Sequence, residues 1–434
     1  MRDWVAEDDP VHFILEAVDR VDLSAFKVKR TRAGKSQYPP RMLLALLIYS
    51  YSHGLFGSRR IERATYRDVC VRYLTGDTHP DHDTICAFRR ENHAAFTACF
   101  LEVLLLAREL KLFKLGTVAI DGTHLRANAS KDRNVTYERA RQLETRLSAD
   151  IEALCTRAEQ ADNTEVDERL PAEIARRQAL REQMDAAQRT LQARAKERAA
   201  AQRPAYEAKL QAHQKRNGKG RRPKPPSDQP DPGEQTNLSD PDSRLMRKGK
   251  NGSVTQSYNA QASVDADGSQ LVVSAHISQC SADNGELEAG IQNIPAQLGS
   301  PERGLADSGF VQIEAIERIQ QSGIDLYVSV QNEAAHNQRR YDLRPEKALA
   351  KAPQKLVHPT LIDMREKIRT EAGRKIYALR QQSVEPVFGI IKQAMGFRQF
   401  LLRGLSKVSA EWTLVCLAYN CKRLFNLTQQ PQNA

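Results

Sequence analysis

The sequence predicts a mixed α+β protein: a helical N-terminal domain, a mixed α/β domain behind it, and a helical hairpin inserted into that second domain. Three observations carry the prediction. Residues 1 to about 115 hold apolar helical runs punctuated by prolines, glycines and capping aspartates. Short β-type runs follow at 116–121, 254–277, 304–306 and 325–331. Between the first and second of these, apolar residues return at three- and four-residue steps from Ala140 to Leu191.

In the N-terminal part, Pro39 and Pro40 precede RMLLALLIYSYSHG, a helix stopped near Gly54. Ser58 is placed to cap RRIERATYRDVCVRYL, which ends at Gly76, and the turn GDTHPDHDT leads into a long helix from Thr84 to Leu112 capped by Asp81 or Asp83. Short helices split by tight turns are the pattern of a helix-turn-helix-type module. Arg59, Arg60, Arg63, Arg89 and Arg90 are its candidates for phosphate or base contacts, the alternative being a solvated basic face. His79 and His82, flanked by Cys70 and Cys86, match no zinc spacing.

Charge points the same way. With 65 Lys and Arg against 54 Asp and Glu, the 434-residue chain carries a formal +11, which favours a polyanionic partner, most simply nucleic acid. Seven scattered cysteines with no C-x-x-C pair read as reduced thiols of a cytoplasmic protein. The opening MRDWVAEDDP is too polar for a signal peptide, and the longest apolar run, Met42–Ile48, is too short to span a bilayer, so no membrane partner is expected.

From Asp132 to about Lys250 the chain changes character. Ala140, Leu143, Leu147, Ile151 and Leu154 repeat at helical steps, DNTEVDERLP breaks the pattern, and Leu180, Met184, Ala187 and Leu191 resume it, which predicts an antiparallel helical hairpin. KRNGKGRRPKPPSDQPDPGEQ then reads as a flexible, basic, proline-rich linker, in which Lys215 to Lys224 is either a phosphate contact or solvated. Strands at 254–265 and 270–277 form a meander, helices flank the run ending at 306, and residues 332–360 are loop-like. A helix from about Leu361 to Gln381 leads to the last block, and EWTLVCLAYNCKRLF reads as a short amphipathic closing helix.

Three carboxylates stand out. Asp121, in GTVAIDGTHLRAN, and Asp307, in GLADSGF, each sit where an apolar run meets a glycine, the strand edge at which α/β sheets hold functional groups; each is alternatively a plain turn residue. Glu385 lies in KIYALRQQSVEPVFGIIKQAMG with Tyr377, Arg380 and Lys392, and at 100° per residue Glu385 and Lys392 fall within about 20° of one face. Pro386 has no N–H to donate and disfavours the α conformation at Glu385, which predicts that a helix begins or kinks there; in one unbroken helix Arg380 and Glu385 would point about 140° apart. Three oxygen ligands without a Cys/His set point to magnesium or manganese. His124 is close enough to Asp121 to orient a ligand, or is structural.

In order, these blocks resemble those of the DDE transposases of bacterial insertion sequences, and the similarity extends through NLSDPDSRLM, SYNAQASVD and GFRQFLLRGL. Asp121, Asp307 and Glu385 match the three acids, while Tyr377, Arg380, Glu385 and Lys392 match the Tyr-Arg-Glu-Lys pattern, with the Arg380–Glu385 interval one residue longer than its commonest form. The resemblance implies an RNase H-like catalytic core over residues 116–131 and 251–430, a DNA-binding domain over 1–115 and an insertion over 132–250. It implies two Mg2+ or Mn2+ ions, with Asp121 bridging both and Asp307 and Glu385 each holding one. Tyr377, Arg380 and Lys392 would bind DNA. The expected reaction is strand cleavage at the terminal inverted repeats followed by strand transfer into target double-stranded DNA, by a protein that is a homodimer on DNA. The alternative is a catalytically inactive DNA-binding protein of the same descent.

Overall fold

The computed structural model describes residues 2–27, 37–160, 169–215, 220–247, 252–330 and 356–429. Its contacts gather into two units, one of residues 1–127 and 257–434 and one of residues 128–256. The structure is a mixed α+β protein, with helices before, between and after the strands of one mixed sheet.

The first unit begins with α1 (Pro10–Asp19), α2 (Pro40–Ser52), α3 (Ser58–Arg67), α4 (Val69–Leu74), α5 (His82–Glu91) and α6 (His93–Glu109). Aspartates start three of them: Asp9, Asp68 and Asp81 accept from the amides of Val11, Val71 and Thr84. Two single helices expected from the sequence are each broken in two. Asp68 leaves the helical conformation to cap α4, so the run ending at Gly76 is interrupted there. Asn92 divides α5 from α6 because its side chain accepts from the Lys27 amide (2.8 Å) and donates to the Phe88 carbonyl (3.1 Å), in competition with a continuing helix. Ser58 is not a cap; Gly57 holds that position, and the Ser58 hydroxyl accepts from Arg89.

Strand β1 (Thr117–Arg126) continues through Asp121, contrary to the turn expected at Gly122 and Thr123. Gly122 is there for space rather than for a turn. A Cβ on it would lie 2.1 Å from Gln261 Nε2 and 2.3 Å from Asp283 Oδ1.

The second unit contains β2 (Asn134–Thr136), α7 (Tyr137–Gln160), α8 (Leu170–Lys215), β3 (Gln235–Asn237) and β4 (Arg244–Arg247). Helices α7 and α8 are antiparallel, as the bond from Gln192 to Tyr137 (3.1 Å) and the ion pair of Arg177 with Asp150 (3.1 Å) fix. Ala140, Leu147, Met184 and Ala187 meet Val135 in a core of their own. The second helix begins at Leu170, ten residues ahead of the resumed periodicity, and continues past Pro204. Of the pattern break at 162–171, residues 162–168 lie outside the described residues and Leu170 and Pro171 already belong to α8; 216–219 of the basic run also lie outside the described residues.

The chain then returns with β5 (Val254–Asp265), β6 (Val272–Ser278), α9 (Glu286–Gln292), β7 (Arg303–Ala306), α10 (Ile313–Gln321), β8 (Asp325–Val328), α11 (Pro359–Arg369), α12 (Glu371–Gly389) and α13 (Leu405–Thr428). Within this unit the strands lie in the order β6, β5, β1, β7, β8. The first three are antiparallel neighbours and the last three parallel. Most of the loop expected at 332–360 lies outside the described residues.

Helix α12 corrects the expectation at Pro386: it runs unbroken from Glu371 to Gly389 with the proline inside it. Proline removes the amide that would serve the Gln382 carbonyl, and Gln270 Nε2 donates to that carbonyl instead, at 2.8 Å. The irregularity falls later, as a π turn over Ile390–Ala394 closed by the Met395 amide on the Ile390 carbonyl (2.9 Å). The closing helix α13 is neither short nor amphipathic. It is buried from Val408 to Leu424 on most of its faces and packs on α2, α6 and β6, where the Asn420 amide pairs with both the N–H and the carbonyl of Val272. Among the described residues, no helix is long and apolar enough to cross a membrane.

Because the hairpin unit has its own core, replacing residues 132–248 by a short flexible linker is expected to leave the sheet unit folded. Circular dichroism and a cooperative melt would verify this; insoluble or non-cooperative protein would contradict it.

Candidate active site

The register of β1 with β7 brings two acids together. Ala119 pairs with Leu305, so two residues further along, Asp121 on β1 and Asp307 just beyond β7 lie side by side on neighbouring strands. Each has one carboxylate oxygen tied to backbone: Asp121 Oδ1 accepts from the Gly122 amide and Asp307 Oδ1 from the Gly309 amide, both at 2.8 Å. The second oxygens face a common centre.

Arg380 occupies that centre. From α12, which packs across β1 and β7, its Nη2 lies 3.0 Å from Asp121 Oδ2 and 3.5 Å from Asp307 Oδ2, and its Nη1 lies 3.4 Å from Glu385 Oε1. The three sequence-selected acids therefore converge, but on a guanidinium. Arg380 is 7% exposed and is here paired with the acids. Burial pushes the Asp121 carboxyl up to about 6, with Arg380 opposing the rise and Asp307 and Asp283 adding to it. Burial also raises the Tyr377 phenol, one helical turn before Arg380. Lys392, in the π turn, reaches back to β1, where its ammonium donates to Thr123 Oγ1 and to the His124 carbonyl (3.3 Å).

The sequence reading missed a fourth carboxylate. Asp283 Oδ1 accepts from Asn259 Nδ2 (2.9 Å) and Gln261 Nε2 (2.6 Å), directly beneath Gly122. Its Oδ2 faces Gly309, whose amide holds Asp307. The available signal was SYNAQASVD, in which Ser257, Asn259, Gln261, Ser263 and Asp265 are polar at every second position and all buried. His124 ring Nε2 meets the Ser281 carbonyl at 3.0 Å.

In kind, the donors suit a hard divalent cation: they are carboxylate oxygens with no thiolate among them. In spacing they do not yet form a ligand cluster, and among the described residues no three Asp, Glu, His or Cys side chains are grouped to hold an ion.

The basic residues of the helical part separate into two sets. Arg59, Arg60 and Arg63 on α3 are exposed, as is Arg90 on α5. At 100° per residue, Arg59, Arg60, Arg63 and the unforeseen Arg67 fall on an arc of about 100°, opposite the buried Ile61. Arg89 is corrected: it is 4% exposed and donates inward to Tyr51 Oη (3.0 Å), the Phe56 carbonyl (2.7 Å) and Ser58 Oγ (3.3 Å). Of the candidate zinc residues, His79 stacks on Tyr66 and His82 pairs with Glu62.

The first unit thus carries an acidic centre on its mixed sheet and, separately, a helix with a stripe of exposed arginines. Comparison with known families gives the class. Residues 1–91 match the model described as transposase domain (DUF772), and residues 337–425 match the model described as transposase DDE domain. The second span includes Tyr377, Arg380, Glu385 and Lys392, while Asp121 and Asp307 lie outside both. No curated protein and no solved structure matches the chain. The two matches support recognition of the chain as a DDE-type transposase of an insertion element.

A carboxyl held at about 6, against 3.8 for an ordinary aspartate, keeps its proton more firmly in the folded state, so its contribution is full at low pH and is lost as pH rises through that window. Asp121→Asn is therefore expected to gain stability relative to wild type on going from pH 4 to pH 7.5, measured by melting in chelator; an equal difference at both pH values would contradict it. Asp283→Ala strands two fully buried amide donors and is expected to cost about 1–3 kcal/mol for each in urea unfolding.

Proposed function

We propose that the protein binds the ends of its element and catalyses strand cleavage and strand transfer, with Asp121, Asp307 and Glu385 as its acidic triad. The observation that carries this reading is the convergence of the three acids, from β1, from the turn after β7 and from α12, on a single point. The sheet order, an antiparallel meander whose first strand continues into parallel neighbours, supports an RNase H-like catalytic core assembled from residues 116–131 and 251–430.

In this reading Asp121, Asp307 and Glu385 hold two Mg2+ or Mn2+ ions. When bound, such ions activate the attacking oxygen and neutralise charge on the leaving oxygen of a phosphodiester. The chain's own groups do the rest. Gly122 and Gly309 amides fix one oxygen of each aspartate and thereby direct the other to the centre. The Lys392 ammonium, lodged on β1 beside Asp121, presents positive charge for a DNA phosphate, and Tyr377 stands one turn before Arg380 on α12, near Asp121 and Asp307. Arg59, Arg60, Arg63 and Arg90 grip the backbone of double-stranded DNA at the terminal repeats, the task proposed for residues 1–115. Residues 132–250 act as an insertion, and two copies assemble on paired ends.

Glu385→Gln keeps size and removes charge. End cleavage in magnesium is expected to fall by about a hundredfold or more while end binding is retained. Cleavage within a few fold of wild type, with normal end binding, would remove Glu385 from the triad. Replacing Arg59, Arg60 and Arg63 by Gln is expected to weaken end binding and to lower the slope of log affinity against log salt by about one for each phosphate no longer neutralised. An unchanged slope would show that this stripe does not meet the backbone.

A further inference from the structure

We propose that Arg380 is the positioning residue of the acid triad: its guanidinium holds the place of the divalent cations and competes with them for the same carboxylate oxygens. The inference rests on the reading of Asp121, Asp307 and Glu385 as metal ligands.

The geometry is specific about which oxygens are contested. Asp121 and Asp307 each have Oδ1 engaged by a backbone amide, leaving Oδ2 as the oxygen directed to the centre, and both Oδ2 atoms lie against the same Arg380 Nη2. The third acid meets the other terminal nitrogen, Nη1. One buried group thus serves acids from three separate elements. Its own Nε remains buried without a hydrogen-bond partner, so this placement satisfies the carboxylates better than it satisfies the arginine.

The continuity of α12 makes the arrangement informative. Five residues along an unbroken helix put Arg380 and Glu385 about 140° apart, so they do not meet through ordinary helical stacking. They meet because Arg380 turns inward toward β1 and the long Glu385 side chain, about half exposed, bends to it. Without a cation at the centre, three carboxylates would repel and splay. With the guanidinium there, they stay converged on it at 3.0–3.5 Å but, among the described residues, are not grouped to hold an ion, whose oxygens in the case of magnesium lie at about 2.0–2.1 Å. Loading an ion therefore requires Arg380 to leave and the oxygens to draw in. A DNA phosphate at the site is a replacement anion for the displaced guanidinium, so DNA and metal binding are positively linked.

The test is Mn2+ binding to the full-length protein without DNA, read from the paramagnetic resonance signal of free Mn2+, with melting temperatures in chelator and in Mn2+. Arg380→Gln removes the competitor and is expected to bind Mn2+ more tightly, on the order of tenfold, while melting lower than wild type in chelator and gaining more from Mn2+. Arg380→Lys keeps a single charge without the fork that spans three acids and is expected to fall between the two. Equal or weaker Mn2+ binding by both variants would overturn the proposal. Should Arg380→Gln fail to fold in chelator, folding restored by Mn2+ supports the proposal, and a Lys variant with wild-type affinity refutes it. Asp307→Asn separates the two levels: if it binds Mn2+ as wild type does, the acids are not the metal site and the reading of function fails with the inference. If it loses binding while the Arg380 variants change nothing, only the competition is wrong.

Discussion

Three carboxylates brought to one point cannot be stable there without a positive charge, and the fold supplies that charge from within the chain. Arg380 reaches the centre because α12 crosses β1 and β7, and because the register of those strands sets Asp121 beside Asp307. Much of the surrounding structure follows from holding this balance. The aspartates are oriented by backbone amides of Gly122 and Gly309, and Asp283 is wedged beneath the first of these glycines and beside the second. A side chain at Gly122 would displace Gln261 and Asp283 together, so glycine there is dictated by crowding around the acids.

What was legible in the sequence was the part governed by local pattern. Asp307 stands at the end of an apolar run that is a strand, and Asp81 caps the helix it precedes, because such signals depend on a few neighbouring residues. The hairpin of α7 and α8 follows from helical periodicity for the same reason. What was not legible depends on partners far along the chain. Gly122 reads as a turn unless Gln261 and Asp283 are known to press on it, and Pro386 reads as a helix break unless Gln270 is known to serve the Gln382 carbonyl. Arg89 and Arg90 are adjacent and identical by type, yet one is buried against α2 and the other exposed, a difference set by Tyr51 and Phe56. The pairing of Arg380 with the acids was not legible because nothing in its own helix shows where β1 lies.

The helical part and the sheet are joined more firmly than their sequence separation suggests. After the π turn that carries Lys392, the chain runs beside the end of β1, where the Phe400 amide donates to the Arg126 carbonyl at 2.9 Å and the Arg126 amide to the Arg398 carbonyl at 3.3 Å. Phe397 and Phe400 pack there with Tyr51, Phe56 and Tyr258. The next two amides, of Leu401 and Leu402, donate to Glu411 Oε2, and Tyr51 from α2 donates to Glu411 Oε1, with Arg89 of α5 behind the same phenol.

A carboxylate at 0% exposure is tolerable only with such a set of donors, and burial still raises its proton affinity. The consequence is mechanical. The segment that follows the turn carrying Lys392, and α2 ahead of β1, converge on one buried side chain, Glu411, from α13. The arginine stripe of α3 reaches this network through Ser58 at its first turn, which accepts from Arg89. The arginine stripe of α3 and the chain that runs beside the end of β1 are therefore anchored in one packed core rather than in two that could shift independently.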